Sequence, residues 1–174
     1  MGSLDRSEIA SYLIQKNISI ALVIGLCSTT LVAAAPHFSP QGPFYGNNGT
    51  LSIKLPSSFQ AQVTCGISLS GSINTQDEAK IHSVFISGSG ICKSLQAKNL
   101  PWILKPENVF SLKLEGVSFV VSNFVPASNC GANDIFVTWN GPLQKLSAFN
   151  QALTGNCTLA TLDITLQPPL TLVP

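Results

Sequence analysis

The chain has 174 residues, of which 10% are charged and 45% hydrophobic, with a formal net charge of +1. An ordinary soluble domain carries about a quarter charged residues, so Ser, Thr, Asn, Gln and Gly take the place of charge here. The near-neutral balance excludes a basic face for nucleic acid. The apolar fraction excludes a disordered chain.

Residues 18–32 form an apolar run, ISIALVIGLCSTTLV, preceded by Lys16 and followed by Ala33-Ala34-Ala35-Pro36. A basic residue, an apolar core and small residues at a cut site predict a secretory signal peptide over 1–34, cleaved after Ala34. Ser19, Ser28, Thr29 and Thr30 argue against a membrane anchor, and Leu26 before Cys27 argues against a lipoprotein. The expected mature chain therefore has no membrane span and lies outside the cell or on its outer surface. It holds seven Lys, no Arg and six acidic residues.

Residues 35–49, APHFSPQGPFYGNNG, contain three Pro and three Gly. That density predicts an irregular arm whose Phe38, Phe44 and Tyr45 dock elsewhere. A single domain over 50–174 follows. Leu51, Ile53 and Leu55 alternate, and residues 61–73 alternate cleanly, with Val63, Cys65, Ile67 and Leu69 on one face and Thr64, Ser68 and Ser70 on the other. A turn over 74–78 leads to a strand over 80–87. Residues 91–100 have room for one helical turn. Phe110, Leu112 and Leu114 alternate, as do Val117, Phe119 and Val121, with a change of face at Glu115-Gly116 that predicts a bulge or a tight turn. Ile135, Val137 and Trp139 form a further strand, residues 146–153 a less regular one, and Leu162, Ile164 and Leu166 another. Pro168-Pro169 stops it, and residues 170–173 add a short edge strand. Some eight to ten short strands at this spacing predict an all-β fold, an antiparallel β-sandwich.

The expected mature chain has four cysteines, Cys65, Cys92, Cys130 and Cys157, and an even count in an exported chain reads as two disulfides. Three connectivities are allowed. The separation of 27 within each successive pair, with Cys-Gly opening and Gly-x-Cys closing both, favours Cys65–Cys92 and Cys130–Cys157. No Cys-x2-Cys or His-x3-His spacing supports a metal, and no Cys-x-x-Cys supports redox chemistry.

Catalysis has little to draw on. The expected mature chain offers His37 near its start and His82 in a strand, and no Gly-x-Ser-x-Gly. The reading is therefore a non-enzymatic protein with no catalytic residue, no cofactor and no metal. Trp139 is in phase with the core. Trp102 follows Leu100-Pro101 at a loop, where burial as an anchor is the ordinary reading and exposed contact the functional one. Trp102, Phe44 and Tyr45 are the candidate contact residues.

The order of several segments resembles the secreted alkane-oxidation activator (PraB-like) proteins of Gram-negative bacteria. These are Val63-Thr64-Cys65, the run 85–92 (FISGSGIC), Asn99-Leu100-Pro101-Trp102, Asn129-Cys130-Gly131, Thr138-Trp139-Asn140, Gly155-Asn156-Cys157 and Pro168-Pro169-Leu170-Thr171. The resemblance implies an exported accessory protein that promotes growth on long-chain alkanes at the cell surface or the oil–water interface. Its partners would be a hydrophobic interface or components of the cell surface and biofilm matrix. Two other readings stand beside it. One is a structural subunit of a surface filament or matrix, self-associating through the arm 35–49. The other is a carbohydrate-binding sandwich using Trp102 and Tyr45.

Overall fold

The computed structural model describes residues 36–76 and 78–173, so the expected leader, 1–34, lies outside the described residues. The strands are β1 (His37–Ser39), β2 (Gly42–Lys54), β3 (Gln62–Ile73), β4 (Ala79–Ser87), β5 (Gln96–Lys98), β6 (Trp102–Pro106), β7 (Ser111–Val121), β8 (Ser128–Asn140), β9 (Lys145–Leu153), β10 (Cys157–Gln167) and β11 (Thr171–Val173). A short 3-10 turn, Gly90–Lys93, occupies the place where one helical turn was expected.

Eight of these strands, β2, β3, β4, β6, β7, β8, β9 and β10, pair antiparallel with their neighbours in chain order, and β10 pairs back onto β2. The fold is thus a closed up-and-down barrel, which corrects the expected sandwich. Both architectures bury one face of each strand, so both give the same alternation. What separates them is curvature. The ladders of β2, β3, β7 and β10 are each interrupted by register shifts, and such bulges bend a strand and increase its twist. Gly116, at φ +80°, sits at the β7 shift between Leu114 and Val117, as the change of face at that position foretold.

The arm expected over 35–49 is also corrected. Residues 42–49 are the first half of β2, and residues 37–39 are β1, paired with β11. Their inward positions are Phe44, Gly46 and Gly49. A Cβ on either of these glycines would run into the Ile164 side chain, so glycine is required where a large aliphatic residue from β10 crosses. The extra residues Asn47 and Asn48 lie in the register shift between them.

The interior is solid and apolar, with Leu51, Ile53, Leu112, Ile135, Leu159 and Ile164 at most 2% exposed. Eight strands enclose about the space that side chains can fill. The two ends of the barrel are built differently. At one end, disulfides join Cys65 to Cys92 and Cys130 to Cys157, with Cα separations of 5.6 and 5.7 Å. Buried Ser57 and Ser128 bond there too, their hydroxyls 2.6 Å apart. At the other end lies the β1–β11 ribbon, whose Phe38 is buried edge-on against Trp139, centroids 6.3 Å apart.

One seam is short. β8 and β9 pair only through Thr138–Ser147, Trp139–Leu146 and Asn140–Lys145. Beyond them side-chain amides serve the backbone. Gln151 Oε1 accepts from the Phe136 N–H (3.1 Å), and Asn133 Oδ1 from the Thr154 N–H (2.8 Å). Past this stretch the second disulfide and Gly155, packed on the Asn129 carbonyl at φ +76°, draw β8 back to the β9–β10 hairpin.

Two outcomes follow. Gly155→Ala should cost more than about 2 kcal/mol in urea unfolding, because a side chain at positive φ is strained by roughly 1–2 kcal/mol and its Cβ would overlap the Asn129 carbonyl. Gly90→Ala, at φ +58° with open space around it, should lose only the backbone strain of roughly 1–2 kcal/mol. Opening either disulfide by paired Cys→Ser substitution should lower stability by about 3–4 kcal/mol from loop closure alone, read as a shift in the denaturation midpoint.

Candidate functional site

The candidate contact residues separate. Trp102 is 2% exposed. Its indole N–H donates to the Lys98 carbonyl at 2.8 Å, and its ring meets Phe119 edge-on at 5.5 Å. Trp102 is thus a core anchor, because the chain after Leu100-Pro101 turns straight into β6. Phe44 is also fully buried, its ring filling the space over Gly71 that any Cβ would take. Only Tyr45 faces outward, next to Phe44 on the opposite face of β2. No exposed patch joins the three residues.

The exposed apolar residues are others. Phe59, Phe85, Phe110, Val125, Phe136, Leu143 and Phe149 are each more than half exposed. The alternation carried this signal for Phe136, which lies out of phase with inward Ile135 and Val137 on β8. Phe110 instead extends the phase of Leu112 and Leu114. It is exposed because the β6–β7 loop ends there, held by Asn108 Oδ1, which accepts from the N–H groups of Phe110 and Ser111 (2.9 and 2.8 Å).

At the ribbon end, the β6–β7 loop, the 141–144 turn and the chain entering β11 enclose an apolar crevice of about 230 Å³. Val109, Phe110, Trp139, Pro142, Leu170 and Leu172 supply most of its wall. Gln144, also in the lining, is fully engaged: its Nε2 donates to the carbonyls of Gly141 (2.6 Å) and Leu170 (3.0 Å), and its Oε1 accepts from the Leu170 N–H. This side chain ties the turn to β11. The Thr171 hydroxyl donates to the Ser39 carbonyl (3.2 Å) and holds the ribbon together. No charged side chain among the described residues lines the crevice.

Among the described residues, eight of the twelve charged side chains pair with one another. Lys80 pairs with Glu78, Lys105 and Lys113 with Glu115, Lys113 with Asp134, and Lys145 with Asp163, all within 3.2 Å. The carboxylates of Glu78, Glu115 and Asp134 are held below their ordinary range by hydrogen bonds from Lys80, Lys105 and Lys113 respectively. Burial pushes Asp163 up, but the Ser147 hydroxyl and Lys145 outweigh it and leave the group lowered.

Among the described residues, no group of three or more His, Cys, Asp or Glu side chains could hold a metal ion, and no helix is long and apolar enough to cross a membrane. His82 Nε2 lies 2.9 Å from the Ser72 hydroxyl on the outer face, a pair that sequence reading did not find.

A family model, the alkane oxidation protein activator PraA/PraB-like family, matches residues 14–174. No curated protein and no solved structure matches the chain.

The ion pairs set a pH dependence. Carboxylates with lowered folded-state pKa contribute stability above their unfolded values and lose it as pH falls through the folded ones. The denaturation midpoint should therefore hold from pH 7 to about 5 and fall below about pH 4, the unperturbed carboxylate range. Asp134→Asn should flatten part of that fall in an acid titration of stability.

Proposed function

The chain belongs to the alkane oxidation protein activator PraA/PraB-like family, and from that premise we propose that it is an exported, non-enzymatic accessory protein. It promotes growth on long-chain alkanes by acting where cell surface and hydrocarbon meet. The observation that carries this reading is the outer surface. Large apolar side chains stand out at more than half exposure, Phe110 at 71% and Leu143 at 63% among them. Most charged side chains among the described residues are paired within the molecule. Such a surface loses little hydration free energy on meeting oil, whereas an isolated charge would lose much. Phe110 lines the apolar crevice at the ribbon end and Leu143 lies in the turn that walls it, and adjoining apolar surface of this kind marks an interaction site. The solid interior and the disulfide staples suit a barrel that keeps its fold at an interface, where a loosely packed domain would spread.

The reading as a filament subunit rested on a free arm. In the structure β1 pairs with the chain's own β11, and residues 42–49 are built into the barrel wall. The surface reading is therefore the one carried forward.

Purified protein should lower the tension of a hexadecane–water interface and restore hexadecane growth to a strain lacking the gene. Phe110→Ser combined with Leu143→Ser should raise the protein concentration needed for half the tension drop about tenfold or more, since burying each side chain is worth roughly 1.5–3 kcal/mol. Both side chains are exposed, so the unfolding midpoint should stay put. Wild-type protein without interfacial activity and without growth rescue would overturn the reading.

A further inference from the structure

The crevice at the ribbon end has a chemistry more specific than a greasy surface. Its volume is about 230 Å³, open to solvent on one side and walled by Phe110, Leu170 and Leu172. Almost every polar side-chain atom in its lining is already hydrogen-bonded: both ends of the Gln144 amide and the Thr171 hydroxyl. One donor remains. The Trp139 indole N–H has no hydrogen-bond partner among the described residues, and it keeps solvent access, since no buried polar side-chain atom lacks a partner. It lies beside Gly141, 3.6 Å from where a Cβ on that residue would stand, and both residues line the crevice.

We propose that this crevice binds a linear alkyl chain bearing a neutral oxygen at one end, a primary alkanol or aldehyde, with Trp139 Nε1–H donating to that oxygen. The inference rests on the reading of the protein as an alkane-growth accessory and names the ligand class of its ribbon end. A bare alkane leaves the indole N–H without a partner once water is displaced. A carboxylate meets no cation in the lining and carries an uncompensated charge into an apolar site. A neutral hydroxyl or carbonyl satisfies the one donor while the chain covers Phe110, Leu170 and Leu172. The crevice thereby prefers the first oxidation products of an alkane over the alkane itself. Gly141 keeps the approach to the indole N–H open.

The test uses the mature, disulfide-bonded protein and a bromine-tipped undecanol as probe, since bromine quenches tryptophan on contact. Saturable quenching of Trp139 is expected, with the emission of core-bound Trp102 persisting. Decanol should displace the probe, and decane and decanoate should do so about fivefold less well or worse, the loss of one hydrogen bond. Gly141→Leu should abolish the quenching. Trp139→Phe, followed by calorimetry, should keep chain binding and remove the preference for decanol over decane. Absence of saturable quenching, quenching unaltered in a folded Gly141→Leu variant, or decane competing as well as decanol would each overturn the proposal. Vesicles of zwitterionic phospholipid displacing the probe better than decanol would assign the crevice to lipid acyl tails and overturn it as well. The interfacial-tension and growth measurements are independent of these results. If the protein retains both and binds no probe, the crevice proposal alone fails. If it lacks both, the underlying reading fails.

Discussion

Everything in this molecule depends on the ladder between its first long strand and its last, β2 with β10. Eight register pairs, from Thr158–Lys54 to Gln167–Tyr45, close the sheet on itself. Without them the meander would be an open sheet with two bare edges, on a surface with too few charges to repel edge-to-edge pairing. Closure resolves that hazard by pairing the edges with each other. It also requires small residues where the strands cross, hence Gly46 and Gly49 beneath Ile164. The low charge of the sequence is tolerable because the barrel leaves few edges to protect.

The same closure explains which parts of the fold were legible in the sequence. The alternation over residues 61–73 became β3 almost residue for residue, and Gly116 marked the bulge of β7. These are local features, and local periodicity reports them faithfully. The partner of a strand is not local. Alternation reads the same in a sandwich and in a barrel, and the pairing of residues 45–54 with residues 158–167 leaves no mark in either segment alone. The first half of β2 was hidden for a different reason. Two of its inward positions are glycine and two asparagines interrupt the register, so a buried strand has the composition of a loop.

The candidate site was legible only in part. Cys65–Cys92 and Cys130–Cys157 were readable from their matched separation of 27 residues. Phe136 was readable from its phase. Trp102 was not, because a residue after a loop has no phase to consult, and its burial depends on β6 docking against β4 and β7. The ribbon-end crevice was beyond reach altogether. It needs residues near 110, 140 and 170 to converge, and it needs Gln144 to bind the entry to β11, a contact 26 residues away in the chain.

The two ends of the barrel divide the work between them. Covalent and buried polar bonds concentrate near the starts of β3, β8 and β10: two disulfides and the Ser57–Ser128 pair. Bonds of that kind are set by geometry and hold the strand ends in place. The opposite end is held by an edge-on aromatic contact, a three-pair ribbon and one glutamine amide. Local opening free energies in proteins follow such differences, being lowest where few buried contacts and short ladders secure a segment. The staples sit at one end and the lightly tied apolar crevice at the other, so the lowest opening free energies are expected at the ribbon end, while the eight-pair β2–β10 ladder fixes the wall between the two ends.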